Sequence, residues 1–303
     1  ILTQEVFGTF RNEIIYYQRN LKSCKHLVSI CEFEKKEYIN KYNGEIVISG
    51  PKVAPKSSPL YQVCKLLESI NNIILKNKTN ASYNISLEYK KDIFDFLQTH
   101  ESLKVNDLYK ILGIKKNEGW WGGKAIGKGI KGNTTLLQIS NALCNKYPEL
   151  LRYDLTIDST SCYDRETGEV YDVISPSCEE EPLNQLWHTL YSISEKDELE
   201  NVLRKKFGIK EDYILNNLFA LDFVKAGYGN KSTKCIRRIL PYLQLGSNYS
   251  GACAKAGFRH SESLTSEENL SRILSDRLEY IQKNSLRQPI VEKILNQLVN
   301  VVN

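Results

Sequence analysis

No methionine occurs anywhere in this 303-residue chain, and its first residue is Ile1. A chain that does not open on an initiator is expected to be an internal piece of a longer protein. No CxxC pair is found among the eight cysteines, so the common redox and zinc-ribbon spacings are missing. Cys24, His26 and Cys31 offer three zinc ligands, with no fourth at a familiar spacing. HExxH, EF-hand, Walker A and dinucleotide fingerprints are all absent. The GKGIKG run at Gly127–Gly132 follows no credible strand, which argues against a nucleotide P-loop. The four histidines are His26, His100, His188 and His260, and none falls in a Ser-His-Asp or Cys-His pattern. His188 follows Trp187 on an apolar helical stripe and reads as a core residue. No catalytic residue, metal or cofactor is expected, and the chain reads as a binder. Neither a signal peptide nor a bilayer-length apolar run is present. The expected setting is a bacterial cytoplasm with reduced thiols, and no membrane partner.

What is present is lysine, asparagine and isoleucine in excess, the bias of an AT-rich bacterial genome. Hydrophobic residues make up 41% and charged residues 25%, as in a globular protein. Asp154–Glu181 carries a net charge of −8, which leaves +13 for the rest of a chain whose total is +5. Such asymmetry suits a polyanion-binding body with one acidic excursion.

The positive charge is segmental. Between Lys115 and Asn133 the sequence KKNEGWWGGKAIGKGIKGN packs six glycines, five lysines and two tryptophans. Lysine attracts phosphate, glycine admits close backbone approach, and tryptophan offers a stacking face. Trp120, Trp121, Lys124, Lys128, Lys131 and Asn133 are therefore candidate nucleic-acid contacts. A glycine loop with one tryptophan plugging a core is the competing reading. Four further segments repeat the theme. Tyr17, Arg19, Lys22 and Lys25 interleave aromatic and basic groups. Lys52, Lys56 and Ser57 lead into a helix N-terminus, where phosphates are readily bound. Lys231, Lys234, Arg237 and Arg238 form a third group, the last three on one helical face opposite Ile236, Ile239 and Leu240. Lys283 and Arg287 precede the last helix. Each segment alone also fits a solvated lysine face.

Periodicity is mostly helical. Ser58-Pro59 is an N-cap with proline at the first helical position. Leu60, Val63, Cys64, Leu67, Ile70 and Ile74 then form a stripe. Pro241 is expected to interrupt the helix that follows Ser232. Pro289 opens a terminal helix with an apolar stripe that should pack on something else. Thr167-Gly168 reads as a hairpin turn. The expected fold is mostly α: two helical subdomains, 1–153 and 182–303, separated by an acidic hairpin linker, 154–181.

Six segments resemble, in order, parts of one known family. They are IIYYQRNLKSCKHLVSICEFE, GPKVAPKSSPLYQVCKLLESINNI, the GWWGGK…KGIKGN run, LWHTLYSI, KCIRRILPYL and KNSLRQPIVEKILNQLVNVVN. They resemble the recognition lobe of the type II CRISPR effector endonucleases, the Cas-nine family, especially its compact type II-C branch. Cys24 departs from the polar residue expected in the first segment. The resemblance implies a noncatalytic helical lobe whose magnesium-dependent nuclease domains lie outside this chain. Its implied partners are guide RNA (crRNA and tracrRNA, gripped at the repeat:anti-repeat stem) and the target DNA strand as a heteroduplex. Such a lobe would read A-form backbone and leave sequence to base pairing. The alternative is a protein-interaction module, for instance a docking site for an anti-CRISPR inhibitor.

Overall fold

The computed structural model describes residues 28–77, 82–83, 85–115, 129–163, 168–258, 277–286 and 288–302. Two compact units emerge. One comprises residues 1–54, 228–232 and 263–303; the other comprises 55–227 and 233–262. Segments from both sides of the acidic excursion share the second unit. Among the described residues the fold is mostly α-helical, with small antiparallel hairpins. No described helix is long and apolar enough to cross a membrane.

In the first unit β1 (Lys36–Ile39) pairs with β2 (Ile46–Ser49), Lys36 opposite Ser49 and Ile39 opposite Ile46. The intervening turn closes through Asn40 N–H to Glu45 O at 2.7 Å, with Gly44 supplying a left-handed φ of 72°. Next to it, Ser29–Cys31 pairs with Pro51–Val53, and Ala54 N–H donates to Lys231 O at 2.8 Å.

The second unit starts with α1 (Pro59–Asn71). Ser58 Oγ accepts from Tyr61 N at 3.2 Å and Pro59 occupies the first helical position, as read from the sequence. Leu60, Val63, Cys64, Leu67 and Ile70 are buried. Ile74 is not part of this stripe: the helix ends at Asn71 and Ile74 is 57% exposed. A two-residue hairpin, β3 (Leu75–Lys76) with β4 (Ser82–Tyr83), links to α2 (Leu87–Thr99). There follow β5 (Ser102–Leu103), α3 (Val105–Leu112), β6 (Ile130–Lys131) and α4 (Thr134–Ala142). A core of Ile70, Leu75, Ile93, Leu97, Leu103 and Leu108 joins α1, α2 and α3.

At the β5–β6 pair the glycine of Gly132 is obligatory. A Cβ there would lie 2.0 Å from His100 O and 2.8 Å from Leu97 O, both backbone atoms. The space is taken because Gly132 N–H bonds Glu101 O and Asn133 N–H bonds Leu97 O.

After α4, Cys144, Asn145 and Tyr147 all adopt positive φ. A staple holds this turn: Tyr147 Oη donates to Glu211 Oε2 at 2.6 Å, and Lys146 Nζ lies 3.0 Å from Glu211 Oε1. The Tyr147 and Lys146 bonds pull the Glu211 carboxyl down from its ordinary 4.5 to about 2. β7 (Ile157–Tyr163) then pairs with β8 (Val170–Ile174), in agreement with the hairpin expected around Gly168. α5 (Pro182–Ser192), α6 (Lys196–Phe207) and α7 (Asp212–Phe219) build a second core with α4 around Ile139, Leu143, Leu186, Trp187, Leu203 and Leu218. His188 is exposed, contrary to the core assignment. The buried apolar positions of α5 run Leu183, Leu186, Trp187 and Leu190, and one residue past Trp187 the helix has turned about 100° away.

α8 (Thr233–Gln244) passes through Pro241, so proline does not stop it as expected. Proline forfeits one hydrogen bond, but Ile239, Leu240, Pro241 and Leu243 are buried and hold the last turn. α9 (Tyr249–Lys255) completes this unit. In the first unit α10 (Pro289–Val302) buries Glu292 and Val299 and exposes Ile290, Val291, Ile294, Leu298, Val301 and Val302.

Gly132→Ala is expected to cost about 3 kcal/mol of unfolding free energy, because backbone must give way. Urea titration of both proteins checks it; a loss under half a unit would be inconsistent with this packing. The Glu211 staple contributes stability above the unfolded-state value near 4.5. That contribution is lost as pH falls toward about 2. In Tyr147→Phe, NMR titration should find the Glu211 midpoint moved upward, and acid unfolding should begin at higher pH.

Candidate nucleic-acid interface

The expected contact residues divide by environment. Tyr17, Arg19, Lys22, Lys25, Trp120, Trp121, Lys124, Lys128 and Arg287 lie outside the described residues. The others are placed, and their environments differ.

Three are built into the interior. Ser57 is 3% exposed: its carbonyl accepts from Thr135 Oγ1 at 2.7 Å and its hydroxyl accepts from Trp187 Nε1 at 3.3 Å. Asn133 is 2% exposed and caps α4, its Oδ1 accepting from Leu136 N at 3.1 Å while Nδ2 donates to Gln98 Oε1 at 2.8 Å. The N-terminus of α1, a natural anion site in principle, is covered here, with Ser57, Ser58 and Pro59 all buried. Lys231, in the first unit, is 3% exposed, with Nζ near Asn230 Oδ1 at 3.5 Å.

Two arginines hold the β7–β8 hairpin. Arg237 Nε donates to Ile174 O at 2.6 Å. The Arg238 guanidinium stacks 3.7 Å above the Tyr171 ring and 4.8 Å from that of Phe258. Both are half-buried, while Lys234 is exposed; Ile236, Ile239 and Leu240 are fully buried, as the helical spacing implies. Lys52 and Lys283 sit close enough in the first unit to repel. Burial and then the charge of Lys283 lower the pKa of Lys52, whose Nζ donates to Val28 O at 2.8 Å.

Lys56 and Lys131 come together. They border a groove of about 720 Å³ in the second unit, with Lys65 as a third cation. All three lysines are exposed. Gly129–Gly132 forms one wall, and Tyr61, Gln62 and Ser69 on α1, with Asn72 at its C-cap, form the other. Lys65 also bridges Glu68 at 3.0 Å, but its side chain remains 61% exposed. Glu68 itself is buried, so the bridge is anchored on its acid side while the ammonium end stays open to a polyanion.

Gln62 organises the groove. Its Nε2 donates to Lys56 O at 2.6 Å, and its Oε1 accepts from Thr134 N at 3.1 Å and Thr134 Oγ1 at 3.0 Å. One amide thus ties the Lys56 turn to the first turn of α4. Sequence reading missed Gln62 and Lys65. Their signal was spacing: positions 62, 65, 69 and 72 share a polar face opposite the apolar stripe of α1. Such a concave, lysine-lined surface with neutral hydrogen-bonding groups can take phosphate and sugar oxygens. Among the described residues no cluster of three or more His, Cys, Asp or Glu could hold a metal ion.

No protein-family model and no curated protein matches the chain. It is similar to crystal structures of Streptococcus thermophilus Cas9. One is in complex with the AGAA PAM, at 18% identity and a TM-score of 0.43. The other is in complex with the GGAA PAM, at 17% identity and a TM-score of 0.42. Each match covers 91% of this chain and 22% of the other, so the chain spans about a fifth of those structures' length.

Replacing Gln62 with leucine removes three hydrogen bonds at once. It should cost about 2 kcal/mol of stability, read by denaturant titration, given roughly a unit or less for each partly exposed bond. Gln62→Glu, which keeps the acceptor, should recover part of that loss.

Proposed function

We propose that the chain is a noncatalytic recognition lobe of an RNA-guided DNA endonuclease. It grips guide RNA at its repeat:anti-repeat stem, and the guide–target heteroduplex, through the nucleic-acid backbone. The observation that carries this reading is the groove in which Lys56, Lys65 and Lys131 converge on a wall of glycine backbone and neutral polar side chains. Phosphates meet mobile ammonium groups there, and sugar hydroxyls meet hydroxyl and amide groups. Contacts of this kind go to the backbone, which suits a protein that leaves sequence to base pairing. The order and wording of the six sequence segments support the same assignment.

As part of this proposal, the acidic segment 154–181, which the sequence sets between helical subdomains 1–153 and 182–303, would turn away from the polyanion. Because Arg237 and Arg238 also hold the hairpin, charge reversal there would mix folding with binding. The lysines of the groove are the cleaner probes.

Filter binding to an RNA stem–loop and to an RNA–DNA hybrid tests the proposal at several salt concentrations. Affinity should fall steeply with salt, and replacing Lys56, Lys65 and Lys131 together by alanine should lower the log–log slope by about 3 with the fold intact. A slope equal to that of the unaltered protein would remove the groove from the interface. Salt-insensitive affinity would favour the protein-interaction reading.

A further inference from the structure

A second concavity in the same unit has opposite chemistry. It is a cleft of about 470 Å³ on the other side of α1. Leu87, Lys90, Lys91, Phe94 and Gln98 of α2 line one wall. They are spaced as one face of a helix, so the wall runs about 16 Å from Leu87 to Gln98. Val63 and Leu67 of α1, Leu183 of α5 and Leu243 of α8 supply a buried apolar floor. Leu136, Leu151 and Leu155 edge the opening and are only partly buried. The cleft is thus elongated and mostly apolar, within the size range of small-molecule sites.

Its positive charge is concentrated at one end. Lys90 Nζ reaches Gly246 O at 3.0 Å, and Asn71 Nδ2 bonds Leu243 O and Ser247 O, both at 2.9 Å. The ends of α1 and α8 and the start of α2 therefore meet where Lys90 and Lys91 stand. Desolvation lowers the Lys90 pKa, the mark of a cation short of compensating charge. Asp154 is the single acid lining the cleft, and Arg152 Nε lies 4.0 Å from its carboxylate.

We infer that this cleft binds a single-tailed amphiphilic anion, an elongated apolar body with a carboxylate-like head set at Lys90 and Lys91. The tail replaces water along the leucine floor, and the head supplies the negative charge that the two lysines lack. A neutral apolar molecule would gain the floor but not the head contact. The site is separate from the groove and does not depend on nucleic-acid binding.

Calorimetric titration of the full chain with decanoate and with decanol, kept below their aggregation limits, tests this. Decanoate should bind at one saturable site, about tenfold tighter than decanol, as expected of one charge-assisted contact. Leu155→Trp, which fills the mouth from a partly exposed position, should abolish binding while the thermal melt stays cooperative. Should that variant unfold, Leu87→Trp blocks the cationic end instead. Lys91→Glu should erase the preference for decanoate. Equal affinity for the two ligands would overturn the anionic head. No saturable binding, or binding that a folded tryptophan variant leaves intact, would overturn the site.

Discussion

Two helix N-termini meet at Ser57, and most of the second unit is arranged around that meeting. Ser57 is the residue before the cap of α1, and its carbonyl accepts from Thr135 in the first turn of α4. Its hydroxyl accepts from the indole of Trp187 on α5, so three helices converge on one buried residue. Unmet polar atoms at such depth would each cost about 1–3 kcal/mol, which makes the arrangement specific as well as stable. Asn133 extends it, capping α4 with one side-chain atom and reaching Gln98 on α2 with the other. The two hydrophobic cores, α1–α3 and α4–α7, are packed separately, and this polar knot sets one against the other.

The groove is a by-product of the same knot. Because Thr134 and Lys56 are both held by Gln62, the lysine-bearing turn before α1 cannot swing away from the strand that carries Lys131. Three ammonium groups are thereby kept on one concavity without being buried. Their mutual repulsion is modest in water, but it falls on any bound polyanion as attraction, and concave surfaces focus such fields. Gly132 sets the other wall. It admits the backbone of His100 and Leu97 at distances no side chain could tolerate, so the strand lies flat against the end of α2. At the described end of this segment, Gly132 thus serves packing.

Helices were legible where an apolar stripe coincided with a cap. The Ser58-Pro59 start, the buried run from Leu60 to Ile70 and the hairpin about Gly168 all follow from local rules. Illegible features depended on partners remote in sequence. Pro241 looked like a stop because its cost is local, whereas the burial that overrides it comes from neighbouring elements. Arg237 and Arg238 shared a basic face as expected, yet the hairpin supplies them with a carbonyl and an aromatic ring that no spacing rule reveals. Gln62 carries no motif at all, and its role exists only because α4 starts beside it. Charge could be counted from the sequence, but which lysines are exposed together could not.

α1 shows how one short helix can serve unlike surfaces. Gln62, Lys65, Ser69 and Asn72 face the cationic groove, whereas Val63, Leu67 and Asn71 face the apolar cleft. At 100° per residue these sets lie on nearly opposite sides. Cys64 and Ile70, on the flanks between them, are buried and anchor the helix. Any shift of α1 that widens one concavity therefore narrows the other, unless its anchors move too. The caps at Ser58 and the bonds from Asn71 to Leu243 and Ser247 pin both ends of the helix. With its ends fixed, its remaining freedom is small, so groove and cleft are each shaped in advance of whatever fills them. Preorganisation of this kind lowers the ordering cost of binding at either face.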